Sequence, residues 1–132
     1  MIFLDTSATY ALADARDSNH ARARRIFLQI LQSGEGVLTQ SYVLVEAAAL
    51  LQRRLGVDIA LQFLRDAEGF QVHWVTADAH HAATDLLAER GQRRLSLVDC
   101  VSFLVMRRHG VREAFAFDND FQEEGFVLYG GS

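Results

Sequence analysis

Short apolar runs alternate with helix-patterned segments along the whole chain, and no other feature constrains the fold as much. The runs are Ile2-Phe3-Leu4, Val37-Leu38, Phe70 to Val75, Ala114 to Phe117 and Phe126 to Tyr129. They are short, rich in β-branched and aromatic residues, and read as strands. Parallel neighbours need crossovers of a dozen or more residues, which the helical segments between them can supply. The order implies an α/β, three-layer architecture: a mostly parallel sheet of about five short strands flanked by helices on both faces.

The helices announce their ends. Thr6 to Ala13 reads as a short helix directly after the first strand. Ser18 or Asn19 caps a second, running to about Gln32, with Ile26, Phe27, Ile30 and Leu31 on its apolar face. Thr39 or Ser41 starts a third that ends near Gly56, and Val57 to Glu68 forms a fourth. Thr76 caps a fifth, running to Arg90, and Ser96 a sixth, running to His109. Glycine follows most of these segments, where a left-handed residue closes a helix.

The 132 residues suit one domain, 1–132, with no linker or internal repeat. All 13 basic residues are arginine, and against 17 acids they leave a net charge of −4. That excludes a protein whose whole surface binds nucleic acid, though not one with a local arginine patch. The single cysteine, Cys100, cannot form an internal disulfide, so a reducing, cytoplasmic setting is expected. No signal-peptide pattern is visible. The longest apolar run, Tyr42 to Leu51, is interrupted by Glu46 and is too short to span a bilayer, so no membrane role is expected.

Several acids stand out against apolar surroundings, and each has a plain structural role. Asp5 ends the first strand and is a good N-cap for the helix that follows. Glu46 lies at the boundary of the third helix's apolar face, where a glutamate ordinarily reaches solvent. Asp99 completes a Ser-x-x-Asp capping box with Ser96, yet it is the only charge in the apolar run Leu97 to Leu104. Asp118 follows the strand Ala114 to Phe117 and suits an Asx-turn, with Asp120 close behind. Taken together they say more. Carboxylates about 5 Å apart repel by roughly 3 kcal/mol at an effective dielectric near 20, so a fold that gathers them needs protons or a divalent cation among them. All-oxygen ligands favour Mg²⁺ or Mn²⁺ over zinc.

At these residues the sequence resembles the PIN-domain family, and within it the VapC-type toxins of toxin–antitoxin pairs. The carrying stretches are Ile2-Phe3-Leu4-Asp5-Thr6-Ser7, the helix around Val45-Glu46-Ala47, Leu95 to Asp99 with its apolar continuation, and Ala116 to Phe121. The resemblance implies a PIN-like fold and an Mg²⁺- or Mn²⁺-dependent endoribonuclease in which Asp5, Glu46, Asp99 and Asp118 are catalytic and hold the metal. Asp5, Asp99 and Asp118 are expected as the main ligands; Glu46 is a ligand or orients the attacking water. Ser7 and Asp120 are auxiliary candidates. Ala116 departs from the Thr or Ser that many relatives carry two residues before the last acid. A VapB-type antitoxin and a homodimer are also implied. Among the arginine clusters, Arg93 and Arg94 precede Asp99 in a loop and are the candidates for RNA contact.

Other enzymes with an acid after the first strand fit less well. Haloacid-dehalogenase-like phosphatases need an acid where this chain has Ser7, and they use a lysine, as receiver domains do; this chain has none. The non-enzyme alternative is a catalytically silent PIN-like scaffold that binds RNA or protein. His80 and His81 are adjacent and do not make an i, i+4 metal pair; His73 and Trp74 read as structural, and Cys100 as a buried thiol.

Overall fold

β1 (Ile2–Leu4) is the middle strand of a five-stranded, wholly parallel sheet in a computed structural model that describes residues 1–130. The last residues of the expected 1–132 domain, Gly131 and Ser132, lie outside the described residues. The other strands are β2 (Val37–Gln40), β3 (Gln71–His73), β4 (Glu113–Phe115) and β5 (Val127–Leu128), in the order β3-β2-β1-β4-β5. Register pairs Leu4 with Phe115 on one side, and Gln40 with His73 further out on the other.

Side chains alternate across a strand, so β1 feeds both faces of the sheet. Phe3 joins a core with Leu38, Val43, Phe103 and Phe121, whereas Ile2 and Leu4 join another with Ala8, Ala23, Ile26, Ile30 and Phe115. α5 (Ala77–Arg90) and α6 (Leu97–His109) pack over the Phe3 face. α1 (Thr6–Ala13) and α2 (His20–Ser33) pack over the other. α3 (Ser41–Leu55) packs against α1, α6 and the following α4 (Val57–Asp66). A last short helix, α7 (Asp120–Glu123), precedes β5. The three-layer expectation therefore holds. Among the described residues no helix is long and apolar enough to cross a membrane.

Differences from the sequence expectation are local. α4 stops at Asp66, and Ala67–Gly69 tightens into a 3₁₀ turn. α3 is capped by neither Thr39 nor Ser41 but by Gln40, whose side chain accepts from the Tyr42 N–H at 2.7 Å. Only Gln71–His73 of the expected strand Phe70 to Val75 pairs, because the Val75 N–H donates to Ser41 Oγ at 2.9 Å instead. Likewise β4 ends at Phe115, and the Phe117 N–H donates to Ser7 Oγ at 3.0 Å. Asp118 thus sits on a loop beyond β4 and not on the strand end itself.

The chain moves outward from β1 through β2 to β3, then crosses back to place β4 and β5 on the opposite side. The crevice beyond the carboxyl ends of β1 and β4 is thereby a topological switch point, the place where open α/β sheets bind ligands.

Candidate active site

Asp5 occupies that switch point. It is 3% exposed and caps α1. Its Oδ2 accepts from the Ser7 N–H at 3.1 Å and from Ser7 Oγ at 2.7 Å. Its own N–H donates to the Phe115 carbonyl at 3.1 Å, which ties the end of β1 to β4. Burial, then the neighbouring Asp118 charge, raises its pKa to about 7; the Ser7 bonds oppose the rise, and Asp99 adds to it.

Asp118 and Asp99 lean the same way. Burial raises the pKa of Asp118, with the charges of Asp120 and Asp99 adding to it; hydrogen bonds from the Asp120 N–H and from a protonated Asp5 work against it. Asp99 is half-buried in the first turn of α6, and burial raises its pKa too. Both bonds of the expected capping box form: the Ser96 N–H donates to Asp99 Oδ2 at 3.0 Å, and the Asp99 N–H to Ser96 Oγ at 3.1 Å. The structural roles foreseen for Asp5, Asp99 and Asp118 are therefore real and coexist with their clustering. Capping consumes only part of each carboxylate's accepting capacity.

Buried hydrogen bonds hold these elements in place. Ser7 Oγ donates to Asp5 and accepts from Phe117, so one hydroxyl aligns the loop carrying Asp118 with Asp5. Thr39 Oγ1 donates to the Leu4 carbonyl at 2.9 Å. Gln40, fully buried, donates through Nε2 to the Val98 carbonyl at 3.2 Å and to Ser102 Oγ at 3.1 Å, which seats the first turn of α6 on the end of β2. Gln40 was missed in the sequence. The available signal was a long polar residue ending a buried strand, where an unpaired amide would be costly.

Of the other candidates, Asp120 adjoins the centre, its N–H donating to Asp118 Oδ1 at 3.1 Å, whereas Glu46, Arg93 and Arg94 are exposed. Glu46 is exposed on α3, and among the described residues no three acid, histidine or cysteine side chains are gathered closely enough to enclose an ion unaided. Asp120 starts α7 and pairs with Arg94 at 3.0 Å; Arg94 also binds Glu123. Arg93 is exposed on the loop before α6. Cys100 is buried, as expected. Trp74, expected to be structural, is instead 70% exposed.

The donor set fits a hard divalent cation. Asp5, Asp99 and Asp118 have no ion pair with arginine or histidine among the described residues, although burial disfavours their charged forms. A dication would remove that imbalance. Mg²⁺ keeps several waters and takes one or two carboxylates, so it does not need a closed protein cage.

Comparison with known proteins agrees with this geometry. The PIN domain family matches residues 2–126. The chain is 40% identical to the 23S rRNA-specific endonuclease VapC20 of Mycobacterium tuberculosis, over 96% of each chain. It is 26% identical to Ribonuclease VapC26 of the same species, over 89% of this chain and 86% of that one. The crystal structure of M. tuberculosis VapC20, described as a Sarcin-Ricin loop cleaving toxin, superposes with a TM-score of 0.84 at 38% identity, covering 96% of this chain and 97% of that one. With aspartates at the switch point of a parallel sheet and likeness at this level along nearly its full length, the chain belongs to the PIN-domain family, and within it to the VapC-type endoribonuclease toxins.

Proposed function

We propose that residues 1–132 act as one domain that hydrolyses a phosphodiester in an exposed loop of ribosomal RNA, using Mg²⁺ or Mn²⁺ held by Asp5, Asp99 and Asp118. The observation that carries the reading is buried Asp5 at the switch point of the sheet, with the Asp118 loop aligned to it through Ser7 Oγ and none of Asp5, Asp99 and Asp118 paired with an arginine or histidine among the described residues. The substrate class is taken from the relatives, one named as 23S rRNA-specific and solved as a Sarcin-Ricin loop cleaving toxin.

When bound, the cation supplies a lowered pKa for a water and charge against the phosphate oxygens. The chain's own residues do the rest. Ser7 holds Asp5 toward Asp118, and the Ser96 box holds Asp99 at the positive end of α6. Glu46, exposed on α3, serves as an outer ligand or orients the attacking water. Arg93 is free to meet an RNA phosphate, whereas Arg94 must first leave Asp120 and Glu123. Asp120 tunes the centre through its charge on Asp99 and Asp118.

The proposed setting is the cytoplasm, with a VapB-type antitoxin as inhibitor and a homodimer as the working form. Leu28 and Leu31 on α2, with Val57, Ile59, Leu61 and Leu64 on α4, leave apolar surface for such partners.

The decisive experiment is cleavage of a synthetic rRNA loop hairpin by purified protein in Mg²⁺ or Mn²⁺ against chelator. Asp5→Asn and Asp99→Asn should each lower the rate by about 100-fold or more while the fold is kept. Full activity in either folded variant would overturn the site assignment.

A further inference from the structure

The carboxyl edge of the sheet carries a second chemistry beside the aspartates. Trp74 is the only tryptophan of the chain; it follows β3 at that edge and leaves 70% of its surface exposed. Its backbone is held on both sides. His73 pairs with Gln40 in the sheet, and the Val75 N–H donates to Ser41 Oγ at 2.9 Å. An indole displayed from so fixed a backbone remains in water with its broad face free for a partner.

The helices that follow β2 and β3, α3 and α5, carry further rings. The Tyr42 hydroxyl and His80 Nδ1 share a hydrogen bond of 2.6 Å. Tyr42 and His80 meet edge to face with centroids 5.9 Å apart, and His80 and His81 do the same at 5.6 Å. These contacts fix the rings before anything binds. β3 lies two strand spacings from β1, a separation of ~10 Å, so a short stretch of single-stranded RNA passing Asp5 along the edge reaches Trp74.

We infer that Trp74 is the platform on which an unpaired base of the RNA substrate stacks beside the phosphate held at the aspartates. The inference rests on the ribonuclease reading above and adds to it a base-binding subsite. Loops offer splayed bases, and stacking accepts any of them through the π-face. It also supplies attraction without charge, which an acidic centre facing a polyanion lacks.

Because Trp74 is the only tryptophan, its emission reports on the platform directly. The Asp5→Asn protein is titrated with the rRNA hairpin while binding is followed independently by anisotropy of the labelled RNA. The expected result is saturable quenching of Trp74 emission with the same midpoint as binding. In the otherwise unaltered enzyme, Trp74→Ala should raise KM for the hairpin about tenfold or more with kcat changed less than about twofold, and Trp74→Phe should restore most of the loss. RNA binding with unchanged emission, or a normal KM in Trp74→Ala, overturns the platform. So does blue-shifted emission of the free protein that depends on protein concentration, since a second copy of the chain then covers Trp74. If cleavage is lost in Asp5→Asn while Trp74 stays silent, the ribonuclease reading survives and the platform does not. Absence of both binding and cleavage in the unaltered protein sinks both.

Discussion

Asp5 caps α1 and is also the most deeply buried of the three proposed ligands, which has a cost. Its pKa rises from 3.8 to about 7 in the folded protein, so its protonated form is the favoured one there below about pH 7. The stability this provides is complete below the unfolded pKa and is lost as pH rises through about 7, a change of roughly 4 kcal/mol over the whole span. In chelator, the melting temperature of the metal-free protein should therefore fall between pH 5 and pH 8. Asp5→Asn should flatten that slope and melt higher than the parent at pH 8. Thermal unfolding followed by circular dichroism checks both, and a pH-independent parent curve would contradict the buried acid. Ser7 makes a second case. Ser7→Ala strips a donor from Asp5 and an acceptor from the Phe117 N–H. We expect a stability loss of about 1–3 kcal/mol and at least a tenfold fall in cleavage, with Ser7→Thr recovering part of both.

At the level of elements, α6 carries the proposed metal ligand Asp99 in its cap. The Ser96–Asp99 box closes the first turn, while Gln40 anchors the same turn to β2. Ser96→Ala should cost about 1 kcal/mol in chemical denaturation. It should also weaken Mn²⁺ binding by calorimetry, because Asp99 loses the Ser96 hydroxyl while keeping the Ser96 N–H bond, the larger of the two that hold its pKa down. Unaltered Mn²⁺ affinity would separate the cap from the centre. The sequence announced this element clearly: Ser96 and Asp99 sit at capping-box spacing, and Gly110 stands at its far end in the left-handed region. It was silent about Gln40, because a buried amide's partners, Val98 and Ser102, lie some sixty residues downstream. Strand lengths were overestimated for a related reason. Val75 and Phe117 look like strand residues, but their N–H groups are taken by the hydroxyls of Ser41 and Ser7.

For the whole molecule, α2 and α4 together carry much of the exposed apolar surface. α2 leaves Leu28 and Leu31 more than half exposed, and α4 does the same with Val57. Between α1, α2, α3 and α4 lies a cavity of about 330 Å³ lined by Leu12, Phe27, Leu51, Ile59, Phe63 and Phe70. If antitoxin and dimer partners use this side, Leu31→Glu should weaken antitoxin capture in a pull-down with a cognate VapB-type protein at least tenfold. RNA cleavage by the free toxin should remain within about twofold. Lost cleavage with unchanged capture would place the partner elsewhere.

The sequence by itself determined the alternation of strand and helix, the parallel sheet and the identity of the acids. Those features depend on local pattern: apolar runs, caps, and glycines at helix ends. Tertiary structure decided which acids share an edge of the sheet. Strand order puts β1 beside β4 and so brings Asp118 to Asp5 across more than a hundred residues, and the Gln40 anchor brings Asp99 to the same edge. Glu46 remains exposed, Arg94 is engaged by Asp120, and Trp74 stands in solvent. None of these placements could be read locally, since burial and electrostatic coupling depend on what the rest of the chain packs around a residue.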